Sequence, residues 1–378
     1  MFRVTNFCAP WNAIDSLAHP KLALNECTLG RVTVHKYNAM ASKSNPLQIV
    51  DISNADQATA KELLKAATTQ GFLFIEGHGF SADEVSDVFD LSKKFFQLSP
   101  EYKERYPIDD SNHGYTNYGG ENLDPRKQKA GDPKEALNFC SLDLKSGESS
   151  RPIPDWFFED SSRNDLLKST IRKLYDISVK ILQILALGLE IEDTDVEGQD
   201  WFTSKYNPEK ASGTTFRLLH YPGQKSLNPE SVIRAGAHTD YGSMTLLFQQ
   251  ENQEGLEIYS PISKKWEPVP FVPANCAKST TEAPPIIVNI ADQLSYWTGG
   301  LLKSTIHRVK FPAEAQESGQ DRYSIVFFSH PNDETLLEPV PSELVRNLKH
   351  RGATKDSVPI TAKQHLDKRL AATYGWSQ

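Results

Sequence analysis

From Thr214 onward the chain breaks into short runs rich in β-branched and aromatic residues, each bounded by Gly, Pro or Asn. The runs are Thr215–Tyr221, Met244–Gln249, Leu256–Tyr259, Ile286–Ile290, Thr305–Val309 and Tyr323–Phe328. Strands this short and this closely spaced pack as an antiparallel sandwich or barrel, jelly rolls included. The first half has a different texture. Leu47–Ser53 and Phe72–Ile75 are strand signals. Ala55–Thr69 reads as a helix with Leu63, Leu64 and Ala67 on one face and Gly71 just past its end. Ser81-Ala-Asp-Glu84 is a capping box, and the helix it opens carries Val85, Val88, Phe89, Phe95 and Phe96 before stopping at Pro100. Asp165–Glu190 places Leu167, Ile171, Leu174, Ile181 and Leu185 at helical spacing, and a last helix is expected over Thr361–Tyr374. The expected fold class is therefore α+β with a mainly β core.

Composition narrows the function classes. A net charge of −8, with no Lys/Arg block, gives no electrostatic footprint for nucleic acid or an anionic membrane. No run of apolar residues is long enough to span a bilayer. The four cysteines, Cys8, Cys27, Cys140 and Cys276, form no C-x-x-C pair and read as reduced thiols, which fits a cytoplasmic protein. Residues 1–39 hold scattered basic residues and few acids. They fit a disordered extension, a mitochondrial transit peptide, or an upstream stretch if translation starts at Met40.

The chemistry is carried by three short elements in the β-rich half. Gly236-Ala-His238-Thr-Asp240 sets an imidazole and a carboxylate two positions apart, which on a strand puts both on one face. With ten histidines in the chain, one such pair is expected by chance about half the time, so His238 and Asp240 need support. His307 supplies it, on a strand signal 69 positions later. Two histidines and one carboxylate with open positions suit iron(II) oxygenases. Arg322-Tyr-Ser324 is again an i, i+2 pair, and a guanidinium beside a hydroxyl clamps a carboxylate.

Taken together, these elements resemble the iron(II)/2-oxoglutarate dioxygenases of the isopenicillin N synthase-like group, over about Leu47 to Tyr374. Further matches are Gly71-Phe-Leu-Phe-Ile-Glu-Gly-His-Gly79, Phe95-Phe-Gln-Leu-Ser-Pro with Lys103, Gly131-Asp-Pro-Lys-Glu135, Phe216-Arg-Leu-Leu-His-Tyr-Pro222, Glu254-Gly-Leu256 and Asn289-Ile-Ala-Asp292. The tail from Ile360 to Tyr374 resembles fungal members, including thymine-dioxygenase-like ones. The resemblance implies a double-stranded β-helix, or jelly roll, surrounded by helices. It implies an N-terminal extension over 1–46, a helical and mixed leader domain over 47–205, the jelly-roll core over 206–335 and a C-terminal helical segment over 336–378. It implies Fe(II) on His238, Asp240 and His307, with Arg322, Ser324 and Tyr221 holding the distal carboxylate of 2-oxoglutarate. Dioxygen would be the oxidant and ascorbate a supporting reductant. The enzyme would be a monomer that hydroxylates or desaturates a small molecule.

Tyr241 and Phe328 are expected to flank the metal, with Leu246 and Phe248 nearby on the sheet and Tyr115 closing over the site from the leader domain. The spacing from His238 to His307 is long for the family, and the polar stretch Ala274–Pro285 accounts for it as a loop insertion between strands. Two other readings stand beside the first: an oxidase of the isopenicillin N synthase type that does not use 2-oxoglutarate, and a barrel that binds metal or ligand without turnover.

Overall fold

The computed structural model describes residues 45–125, 127–223, 233–279, 281–312, 319–349 and 359–374. The three readings of the first 39 residues fall outside them, as do Cys8 and Cys27. The other two cysteines are free thiols, Cys140 buried and Cys276 exposed. Among the described residues no helix is long and apolar enough to cross a membrane.

The strands are β1 (Ile49–Asp51), β2 (Phe72–Glu76), β3 (Gly114–Thr116), β4 (Glu135–Phe139), β5 (Leu142–Asp143), β6 (Glu148–Ser149), β7 (Thr215–Tyr221), β8 (Ile233–His238), β9 (Met244–Phe248), β10 (Leu256–Tyr259), β11 (Trp266–Pro268), β12 (Ile286–Ile290), β13 (His307–Lys310) and β14 (Arg322–Ser329). The helices are α1 (Gln57–Thr69), α2 (Ala82–Phe96), α3 (Pro100–Lys103), α4 (Ser161–Gly188), α5 (Asp292–Trp297), α6 (Glu343–Lys349) and α7 (Ala362–Tyr374). Each of the six runs expected after Thr214 forms a strand, with ends shifted by no more than two residues. Ala274–Pro285 lies between β11 and β12 and contains no strand among its described residues.

An eight-stranded sheet runs in the order β1-β2-β12-β9-β14-β7-β4-β3, and a four-stranded sheet in the order β11-β10-β13-β8. The large sheet mixes segments that the sequence separates: β1 to β4 come from residues 47–205 and the rest from the β-rich half. No local pattern could announce this, because β3 and β4 are short and lie in a stretch without periodicity.

Strand alternation divides the core in two. On β14, Tyr323, Ile325 and Phe327 face outward and pack with α2 and α4, in a cluster that includes Phe89, Phe95, Ile181 and Leu185. Val326 and Phe328 face inward with Leu219 on β7 and Leu247 on β9, against Ala235, Leu256, Ile258 and Val309 of the small sheet. The outer cluster is the larger. The inner one is shared with buried polar groups, and the site lies there.

The turn after α1 ties this frame to the inner layer. Both capping-box bonds at Ser81 and Glu84 form at the start of α2, but the closing of α1 matters more for the site. Gly71 has φ +70°, and a Cβ there would lie 1.9 Å from the Lys303 carbonyl oxygen. Thr305 Oγ1 donates to the Gln70 carbonyl at 2.6 Å, so the segment entering His307 is fastened to this turn. Gly71→Ala should therefore cost on the order of 2 kcal/mol or more in urea unfolding, through left-handed strain and backbone overlap together. A loss under about 0.5 kcal/mol would show that the turn tolerates a side chain.

Candidate functional site

His238 ends β8 and His307 begins β13, and the two residues are direct partners across the antiparallel ladder of the small sheet. Their ring centroids are 4.3 Å apart. Asp240 lies two residues beyond the end of β8, so strand alternation alone does not place it. Its carbonyl accepts the Asp292 N–H at 3.0 Å. Its carboxylate Oδ2 accepts Thr245 Oγ1 at 2.5 Å and Asn289 Nδ2 at 2.8 Å, both from the large sheet. That leaves Oδ1 lying 3.6 Å from Nε2 of each histidine. Among the described residues these three are the one cluster of His, Cys, Asp or Glu close enough to hold a metal ion, with ligand atoms within 4.8 Å of one another.

The hydrogen bonds settle which nitrogen is free. His238 Nδ1 donates to the Gly236 carbonyl at 2.7 Å, and His307 Nδ1 to the Thr305 carbonyl at 3.1 Å. Each Nε2 lone pair then points to the common centre, as a metal ligand requires. Burial lowers the His307 pKa to about 4, with the neighbouring His238 acting in the same direction, so the ring is neutral at pH 7. Burial opposes ionisation of Asp240, but positive charge at the two imidazole positions and the hydrogen bond donated by the Thr245 hydroxyl favour it and hold the carboxyl well below its usual range; with both rings neutral, a bound cation would supply that charge. Two neutral imidazoles and one carboxylate on a shared pocket form a donor set that fits a divalent cation such as iron(II).

The pocket lined by the triad also holds Arg322, Ser324 and Tyr221. Arg322 Nη1 donates to Ser324 Oγ at 2.7 Å and Nε to the Gln253 carbonyl at 2.9 Å. Its guanidinium carbon lies 4.9 Å from the centre of the Tyr221 ring. Burial lowers the Arg322 pKa, and among the described residues no acid is paired with it.

A second pocket, sharing His238, Asp240, Arg217 and Phe328 with the first, is lined also by Tyr241, His330, Leu366, Leu370 and Tyr374. Helix α7 supplies the last three, and Tyr241 Oη is hydrogen-bonded to Thr373 Oγ1 of the same helix. His330 is buried, and that burial lowers its pKa to about 3 and keeps it neutral.

Three expected residues do not reach the site. Leu246 and Phe248 occupy the outward positions of β9 and pack into the helical core, where Phe248 meets Phe80 edge to face at 5.1 Å. The inward positions belong to Thr245 and Leu247, because Thr245 must reach Asp240; the expected pair is one residue out of phase. Tyr115 pairs with Leu137 and also faces outward. Its hydroxyl is hydrogen-bonded to Glu135, which is itself bound to Lys103 and His220.

The sequence reading also missed a buried charge network. Arg217 Nη2 donates to Glu121 Oε2 at 2.7 Å, Lys134 Nζ lies 2.9 Å from Glu121 and 3.1 Å from Asp132, and Tyr374 Oη donates to Glu121 Oε1 at 3.2 Å. One signal was visible: Arg217 lies between Phe216 and Leu218 in a strand buried at every position, and a cation there must bring its own acid. Burial works against the Glu121 charge, but Arg217 and Lys134 overcome it and hold this carboxyl far below its usual range.

Glu121→Gln should destabilise the protein by on the order of 3 kcal/mol at pH 7, since it leaves two buried cations with Asp132 alone. The folded pKa is the lower one, so the contribution of Glu121 is full above the unfolded value of about 4.3 and is lost as pH falls below it. In thermal melts the gap between wild type and Glu121→Gln should therefore narrow below about pH 4.3; a gap that widens there would contradict the pairing.

Comparison with known proteins agrees with the geometry. The family described as non-haem dioxygenase in morphine synthesis, N-terminal, matches residues 47–157, and the 2OG-Fe(II) oxygenase superfamily matches residues 213–331. A UPF0676 protein of Schizosaccharomyces pombe is 32% identical over 337 residues, which cover 87% of this chain and 92% of that protein. The homoarginine-6-hydroxylase of Glycine max is 28% identical over 332 residues, covering 81% and 92%. A full-length Neurospora crassa protein, solved in complex with alpha-KG and thymine, superposes with a TM-score of 0.64 at 27% identity, covering 88% of this chain and 98% of that one. The fold, the clustered histidines and carboxylate, and these matches together place the chain in the 2OG-Fe(II) oxygenase superfamily, as a 2-oxoglutarate-dependent dioxygenase that uses iron(II) and dioxygen.

Proposed function

We propose that His238, Asp240 and His307 hold the iron(II), that Arg322, Ser324 and Tyr221 hold 2-oxoglutarate, and that the enzyme oxidises a compact, polar small molecule seated under α7. The observation that carries this reading is the position of the triad. All three residues line the pocket that holds Arg322, which has no acid paired with it among the described residues, and His238 and Asp240 also line the adjoining pocket roofed by the C-terminal helix. We further take the two facing sheets to be the halves of a double-stranded β-helix.

Each residue's part follows from its surroundings. Iron(II), when bound, supplies the redox chemistry between dioxygen and the 2-oxo acid; the protein's share is to bind, orient and exclude. Arg322 is charged, buried and unpaired with acid, so a carboxylate is the ligand that best compensates its desolvation. Ser324 fixes the guanidinium so that its other N–H groups face the pocket. Asp240 keeps one oxygen for the metal because Thr245 and Asn289 take the other.

The substrate pocket differs from the cosubstrate pocket in charge. Arg217 is already neutralised by Glu121, while its Nε is buried with no hydrogen-bond partner. A neutral molecule with one hydrogen-bond acceptor, stacked against Phe328 and Tyr241, suits these walls better than a second carboxylate does. Thymine, bound by the Neurospora crassa relative, is one compound of this kind and belongs in any substrate panel.

The direct test is succinate formation from 2-oxoglutarate by the iron(II)-loaded protein, screened against neutral and charged metabolites. Stimulation by a neutral heterocycle is expected. Stimulation by carboxylates alone would overturn the substrate assignment. His307→Ala should lose metal and turnover while keeping its far-UV circular dichroism, and unchanged turnover would refute the metal site. Arg322→Ala should raise the KM for 2-oxoglutarate by about 100-fold, a loss of roughly 3 kcal/mol, with iron occupancy within about twofold of wild type. Loss of iron without a change in that KM would place the carboxylate elsewhere.

A further inference from the structure

The strand that ends in His238 has an exposed flank to account for. Among the described strands, β8 lies at the end of the small sheet and pairs with β13 alone. Even that ladder is irregular, with register shifts between His307 and Val309 and between Val309 and Lys310. An edge strand with a broken ladder is a poor mount for metal ligands, which must be held to within about half an ångström.

What meets its open edge is a loop of the leader segment. Asp132 is fully buried, and its Oδ1 accepts the Gly236 N–H at 2.9 Å. Its Oδ2 accepts the Leu123 N–H at 3.2 Å and the Lys134 ammonium at 3.1 Å. The Asp132 N–H donates to the Glu121 carbonyl at 2.7 Å, so the carboxylate is anchored at both ends. The fit against β8 leaves no room for a side chain on Gly236: a Cβ there would lie 2.5 Å from Gln128 Oε1 and 2.8 Å from the Asp124 nitrogen. Gly236 in turn offers its carbonyl to His238 Nδ1 at 2.7 Å.

We propose that Asp132 is a positioning residue for the metal centre: by taking the Gly236 N–H it replaces the missing neighbouring strand and fixes the carbonyl that orients His238. The leader loop is then part of the metal site although it contributes no ligand. The action is mechanical, through the backbone of one residue, and requires an acceptor at Oδ1 more than a charge. This inference rests on the metal assignment above.

The test is anaerobic equilibrium dialysis of the full-length protein against iron(II) alone, with thermal melts of the same samples. Asp132→Ala should weaken iron affinity by about tenfold or more, the range found for partners that orient metal-bound histidines. Glu135→Ala breaks a different buried network, on the outer face of the large sheet, and should lower the melting temperature while leaving iron affinity within about twofold. Asp132→Asn, which keeps an acceptor in place, should stay within about threefold of wild type. Asp132→Ala within about twofold of wild type, or Glu135→Ala weakened as much as Asp132→Ala, would overturn the proposal. Should Asp132→Ala fail to fold, amide exchange in the wild type decides: the Gly236 N–H should be as protected as the ladder amides of β13, and exchange typical of a free edge would overturn it. A wild-type protein that binds no iron would count against the metal site itself, a result separate from these.

Discussion

The buried carboxylate of Asp240 is the interaction on which the rest of the site depends. It lies past the end of its strand, among groups from both sheets, and a negative charge there is costly unless every lone pair is used. Thr245 and Asn289 on the large sheet take one oxygen, while His238 and His307 on the small sheet stand beside the other. The carboxylate thus joins the sheets at the point where their inner faces meet. Apolar packing joins the sheets elsewhere, through Leu219, Leu247, Val309 and Val326, and the polar cluster adds a directional link between them.

From that point two adjoining pockets open that share His238, Asp240, Arg217 and Phe328 in their walls but differ in their further charges. Toward β14, Arg322 presents a positive charge with no acid paired to it among the described residues. Toward α7, Arg217 presents one already cancelled by Glu121. A charged cosubstrate and a neutral substrate would be sorted by this difference before any shape recognition acts. Lys134, Asp132 and Glu121 come from the leader segment, and Leu366, Leu370, Thr373 and Tyr374 from the C-terminal helix. On the proposed assignment the β core would supply the metal ligands, and the leader segment and the C-terminal helix would share the wall of the substrate pocket with it.

Much of this was legible in the sequence, for a physical reason. Strands β7, β9, β10 and β12 are short, apolar and sharply punctuated, so the periodicity and the breakers gave their extents to within a residue. His238, Asp240 and His307, which the structure brings together, stood out because metal ligation demands particular side chains in a particular order. Arg322 and Ser324 followed from the same strand logic. Phase was less legible than extent: Leu246 and Phe248 look no different from Leu247 in a run where every residue is buried, and only the partner of Asp240 shows which face is inward. Tyr115 failed for a similar reason, since β3 is too short to carry an alternation. Asn289 and Glu121 were invisible as functional residues because their role is defined by groups 49 and 96 positions away.

The most direct test of the account is a crystal structure with a divalent metal and 2-oxoglutarate, the metal located by its anomalous scattering. The account predicts one strong peak bonded to His238 Nε2, Asp240 Oδ1 and His307 Nε2, with the distal carboxylate of 2-oxoglutarate on Arg322 and Ser324. A metal bound away from this triad, or a cosubstrate whose carboxylate sits on Arg217 instead, would contradict it.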